Sequence, residues 1–275
     1  MLIRLVKSEW QRFIFNDKIL ISSFLLFSFN FIIAFYYSIK INLVDKNLSI
    51  YPSFLTFPIL FLSEIQSTLF NFIIIVFTGY FFFKEYEYGY TKFIFLRPVK
   101  KNNFYTSKLI IFYLFLLYIY FVFFVSSYIS GFLILEKVDK VKFFLIANEY
   151  GFLYWIKKTI LFYIICFFST IYFSSFLIFL NYFIKNSFYS VVFTLLYLFL
   201  NIIYPYLKNT FLYLIGIRNE NVFKFFEYLS VTQIQQDGII YFINSGDKIV
   251  IVYLFLLTIP VFFISSKLYL KMIGG

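Results

Sequence analysis

The chain has no histidine and a single cysteine, Cys166, in 275 residues. Without an imidazole there is no His-based triad, no His-ligated zinc or haem, and none of the usual proton shuttles. One thiol forms no internal disulfide, and Cys166 sits inside an apolar run, the ordinary setting of a small core residue. Charge is also scarce: Asp, Glu, Lys and Arg make up 13% of the residues, 13 acids against 24 bases. No G-x-x-x-x-G-K-[ST] occurs, so the chain carries no P-loop and no ATPase motif of its own. A membrane-embedded enzyme would need a constellation of acids, His or Cys, and Glu64, Cys166 and scattered amides are too few to write a reaction.

What the sequence has in abundance is apolar surface. Hydrophobic residues make up 62%, with 46 Phe and 26 Tyr, and the mean hydropathy is +0.87. Soluble domains are about 45–50% apolar, so the expected fold class is an all-α polytopic membrane protein. Single aromatics carry no site here, because their number makes lipid contact and helix packing the simpler reading. The net charge of +11 would suggest nucleic acid in a soluble protein. Here the bases stand between apolar runs, where they orient the chain in the lipid bilayer, and no nucleic-acid partner is expected.

Taken in order, residues 1–18 read as a basic amphipathic helix lying in the membrane interface. Leu2, Val6, Trp10 and Phe13 form its stripe, with Ile3 and Ile14 beside them. Six spans follow as one membrane domain, at about 19–39, 58–83, 109–135, 159–180, 187–207 and 249–266. The second contains Glu64, Gln66 and Asn71. Glu64 is a candidate for a substrate path, since an intramembrane acid is functional by default, but its place near the end of the span favours a solvated residue. Residues 136–158 read as a mixed-charge surface helix. The fifth span reads as broken late by Asn201 and Pro205. Within 208–248, residues 209–217 could dip into the bilayer, 222–228 form a short surface helix, and 233–238 look the most soluble. Six spans place both ends on one side. With the ends inside, inner segments carry thirteen bases and outer ones eleven over more residues, which favours cytoplasmic termini.

The most charged passage is residues 84–108, with six bases and two acids between long apolar runs. Its order is specific: Glu85 and Glu87, Gly89, Thr91 and Lys92, the apolar run Phe93, Ile94, Phe95 and Leu96, then Arg97, Pro98, Val99, Lys100 and Lys101, with Lys108 opening the next span. A loop that only reconnects two helices does not need this order. The pattern resembles the loop after the second span of ABC exporter permeases of the second type: an acid, Gly-Thr, a run of leucines, Pro-Val, a base, and a Lys at the next helix. Tyr90 stands where that family commonly has Thr, with Thr91 one place later. The layout is also similar over the whole chain.

The resemblance implies that the loop docks, as a coupling helix, on a separate ATP-binding subunit. ATP is then bound by that partner, and this chain needs no cofactor. Two permeases, as a homodimer or with a sister permease, pair with two such subunits in the bacterial cytoplasmic membrane. The residue types suit docking. Gly89 permits close backbone approach and Pro98 ends a short helix. Phe93, Ile94 and Phe95 supply an apolar anchor, and Glu85 and Glu87 can pair with bases on the partner. The other reading of the loop is a solvated connection that fixes topology. A hydrophobic or amphipathic cargo suits the uncharged spans. The alternatives for the whole chain are a scaffold in an envelope machine without transport, or an embedded enzyme.

Overall fold

The computed structural model describes residues 2–14, 17–40, 51–87, 96, 99–138, 140–142, 149–184, 186–215, 230–239 and 249–274. Among them the chain is almost wholly helical. Helix α1 (Leu2–Ile14) leads into α2 (Asp17–Lys40). Helix α3 (Phe57–Ile65) runs through one π-helical stretch, Gln66–Phe70, into α4 (Asn71–Glu87). Helices α5 (Lys101–Ile134), α6 (Phe152–Ile184) and α7 (Ser187–Ile215) follow. A short buried piece, α8 (Val231–Gln233), continues as a second π turn, Ile234–Gly238, and α9 (Ile249–Gly274) completes the chain. Five helices are long and apolar enough to cross a membrane (Phe57–Phe83, Lys101–Ile134, Phe152–Ile184, Ser187–Lys208 and Val252–Lys271), and Phe24–Lys40 is a shorter apolar one. An all-α polytopic fold is what the composition demands, since only helices and closed barrels satisfy the backbone inside lipid.

The end of α4, the start of α5 and the end of α9 meet at one end of the bundle, called here the loop end, through the Lys108–Phe81, Tyr269–Phe82 and Tyr105–Ser266 contacts. Helix α6 touches α4, α5, α7 and α9, while α1 and α2 pack along α5. In α1 the residues Leu2, Val6 and Trp10 are half-buried, as the stripe requires, whereas Ile3 is exposed. At the opposite end Ser53 bridges Glu136, and the Tyr51 hydroxyl donates to Glu136 Oε2 at 2.6 Å. Strand β1 (Lys140–Lys142) pairs antiparallel with β2 (Glu149–Gly151).

Several expectations shift. The surface helix read into 136–158 is instead this hairpin followed by the first turns of α6. Trp155, fully buried, donates to the Val141 carbonyl at 3.4 Å and pins the two together. Helices enter the charged passage from both sides, leaving 88–100 between them. Helix α7 does not break at Pro205 but continues to Ile215. The surface helix expected at 222–228 lies outside the described residues.

Candidate functional site

At the opposite end from the charged loop, residues 230–239 turn back into the bundle. Residues 233–235 of the stretch that looked most soluble are buried: Gln235 is fully enclosed, as are Ile234 and, further on, Ile239. The reason is amide pairing. Asn71 Nδ2 donates to Gln235 Oε1 at 2.6 Å, and Gln235 Nε2 returns a bond to Asn71 Oδ1 at 3.3 Å while also reaching Ser169 Oγ at 2.7 Å. Gln236 Nε2 donates to Ser67 Oγ at 2.8 Å. Gln66 and the Tyr120 hydroxyl exchange bonds at 2.9 and 3.1 Å. Asn71, Gln235, Gln236 and Gln66 tolerate this depth because each of the four finds a partner; a lone buried amide is expensive.

The π turn in the second span makes this cluster possible. Gln66 and Asn71 are five residues apart, about 140° around an α-helix. A π turn adds a residue and brings them back towards one face. Gln66, Ser67 and Asn71 are accordingly all buried, while Thr68 and Leu69 are exposed. A second device anchors the returning segment. Pro205 has no N–H, so the Asn201 carbonyl four residues earlier loses its helical donor. The Thr232 and Ser230 hydroxyls take that carbonyl at 2.9 and 3.2 Å. Ser230 also caps α8 by accepting from Gln233 N–H at 3.4 Å. The proline read as a helix break is therefore a socket for the outer segment.

Glu64 is not part of the cluster. It is exposed, with the Tyr37 hydroxyl as its hydrogen-bond partner. Gln66 and Asn71, two polar residues of the same span, occupy the interior instead. Gln235 and Gln236 had no sequence signal, since a glutamine-rich stretch between spans looks like a solvated loop. The usable signal was the five-residue spacing of Gln66 and Asn71, which no α-helical stripe accommodates. Beside the cluster, a groove of about 450 Å³ opens between α5 and α6. Leu117, Phe121, Ile160 and Ile164 line it, and Tyr120 forms part of its wall. Among the described residues no group of His, Cys, Asp or Glu is placed to hold a metal ion.

At the loop end, Gly89, Thr91, Phe93, Ile94, Phe95, Arg97 and Pro98 lie outside the described residues. Glu85 and Glu87 belong to the last turn of α4. Leu96 is 81% exposed. The stem of the loop is an aromatic block. The Tyr105 ring lies 4.8 Å from that of Tyr269, and Phe82 meets Phe112 at 5.3 Å and Tyr269 at 5.7 Å. The Tyr105 hydroxyl donates to Ser266 Oγ at 3.0 Å.

No curated protein matches the chain significantly. The model of the family described as "ABC-2 family transporter protein" matches residues 5–201, well over half of the sequence and including the charged loop. With its bundle of membrane-crossing helices, the chain belongs to the ABC-2 transporter family and is a membrane transport component.

Proposed function

We propose that the chain is the membrane-spanning permease of an ATP-driven exporter, coupled through residues 84–108 to a separate ATP-binding subunit. The observation that carries this reading is the position of the charged motif. It lies within the family-matched region, between two helices whose ends are tied together at its base, so force applied to the loop reaches the bundle. The exposed Leu96 supports it, because a large apolar side chain left uncovered suits a docking surface. The permease pairs with a second copy or a sister permease, sits in a bacterial cytoplasmic membrane with both termini cytoplasmic, and holds no nucleotide itself. A hydrophobic or amphipathic substrate fits the uncharged spans and the apolar groove beside Tyr120. In this reading the segment 230–239 closes the exit, and release requires the Asn71–Gln235 and Ser67–Gln236 bonds to part.

The test is a pull-down of tagged protein from mild detergent, with identification of what accompanies it, repeated with Gly89→Arg and Phe93→Asp. An ATP-binding subunit should copurify with the wild type and be lost from both variants, while both still insert and elute as folded protein. Absence of an ATPase, or equal binding by the variants, returns the loop to a topological connection and the chain to a scaffold. ATPase activity that depends on this chain and responds to an apolar substrate distinguishes a permease from a scaffold.

A further inference from the structure

Two successive backbone carbonyls at the stem of the charged loop are each taken by a side chain from a different helix. The Phe81 and Phe82 carbonyls lie near the end of α4 and face the N–H groups of residues 85 and 86 within the helix. Each keeps a second lone pair. Lys108 Nζ, from α5, sits 3.5 Å from the Phe81 oxygen. The Tyr269 hydroxyl, from α9, donates to the Phe82 oxygen at 3.1 Å.

Lys108 is in an unusual place for a lysine. It lies seven residues into α5, about two turns or 10 Å along the helix, within reach of the surface by snorkelling. Its side chain is nevertheless 1% exposed, with the ammonium 5.0 Å from the Phe104 ring centre and 5.8 Å from that of Phe81. A 3.5 Å contact alone is weak. The aromatic faces and the negative end of the α4 dipole add to it. A buried ammonium is costly in this setting and is kept where it has a task. Tyr269 repeats the arrangement from the other side, and the Tyr105–Ser266 bond and Tyr105–Tyr269 contact link α5 to α9 directly.

We infer that Lys108 and Tyr269 are positioning residues that lock the last turns of α4 to α5 and α9, forming a rigid joint. The joint converts movement of the docked loop into joint movement of the third and sixth spans. This rests on the docking reading above, but the joint itself is measurable without any partner. Lys108→Met keeps the length of the side chain and removes the charge. Tyr269→Phe removes one hydroxyl and keeps the ring. Lys108→Arg keeps a cation.

The experiment uses the full chain in lipid nanodiscs, with Cys166→Ser as background and one spin label on α4 at the exposed Tyr80→Cys, paired in separate samples with a second at the exposed Asn102→Cys on α5 or Lys271→Cys on α9. The distance distribution between the labels should be narrow, should broaden in Lys108→Met and in Tyr269→Phe, and should narrow again in Lys108→Arg. In parallel, the copurified ATP-binding subunit should remain bound to both disrupting variants while substrate-stimulated ATPase falls about tenfold, recovering in Lys108→Arg. Unchanged distributions in both variants overturn the joint whether or not a partner copurifies. Broadened distributions with fully stimulated ATPase overturn its role in transmission. A wild-type chain that brings down no ATP-binding subunit overturns the docking reading, and that result is read from the wild type alone.

Discussion

The two ends of the bundle handle polarity in opposite ways. At the loop end the polar groups are charges: six bases and two acids crowd into residues 84–108. Of these, Lys100 and Lys101 are exposed, and the buried cation Lys108 is wrapped in aromatic rings. At the opposite end the interior holds Gln66, Asn71, Gln235 and Ser169, none of them charged, each bonded to a neighbour. The difference follows from cost. An exposed charge keeps its water and remains available to a partner, whereas a charge in the bundle must be compensated on the spot. A neutral amide can be enclosed for the price of one hydrogen bond and released again when that bond moves to water. In the proposed function one end meets a partner outside the chain, while the other makes its contacts within the chain.

The sharpest way to break this contrast is to make the same chemical change at both ends. Gln235→Glu puts a carboxylate between Asn71 and Ser169 and should lose about 3 kcal/mol or more of stability near neutral pH. Burial raises the folded-state pKa of that new acid, so the penalty should shrink as pH falls and the group is neutralised. Asn102→Asp, on the exposed first turn of α5, should change thermal stability by no more than about 0.5 kcal/mol. Equal losses in a detergent melting assay would show that the two ends do not differ as described.

A smaller effect is expected at the proline socket. Ser230→Ala with Thr232→Val strands the Asn201 carbonyl and should cost about 1–3 kcal/mol. Adding Pro205→Ala restores a helical N–H to that carbonyl and should recover much of the loss. Failure of the third change to rescue would mean that the hydroxyls act elsewhere. The smallest effect is expected in the surface cap. Tyr51→Phe removes the bond to Glu136 and should cost about 1 kcal/mol in the same melting assay. Burial first, and the Glu136 carboxylate second, push the Tyr51 hydroxyl up from 10.0 to about 12. The wild-type advantage should therefore be whole below pH 10 and vanish as pH rises through about 12.

Much of the fold was legible because lipid leaves so few options. Long uncharged runs such as 109–135 and 159–180 mark spans whatever their neighbours do, and the stripe of Leu2, Val6 and Trp10 marks a surface helix. Family membership was legible from the order of Glu85, Gly89, Pro98 and Lys101 in one loop. What escaped depends on distant partners. Gln235 looks soluble until Asn71, 164 positions earlier, is placed against it. Pro205 looks like a break until Thr232 occupies the carbonyl it frees. Residues 152–155 looked like part of a surface helix because hydropathy does not reveal that Trp155 reaches back to Val141. Glu64 drew attention by its charge, yet it is exposed on α3, and the π turn that follows carries its quieter neighbours Gln66 and Asn71 inward.

That the buried cluster is made of amides and hydroxyls has an electrical consequence. The work a membrane potential does on a moving group scales with the charge carried, about 2.3 kcal/mol per elementary charge per 100 mV. Gln66, Asn71, Gln235 and Gln236 carry none. If the segment parts as proposed, these four side chains move no gating charge, and the membrane potential does no work on them. In the proposed function the force that parts them arrives through the loop end, and these four side chains add no dependence on voltage to it.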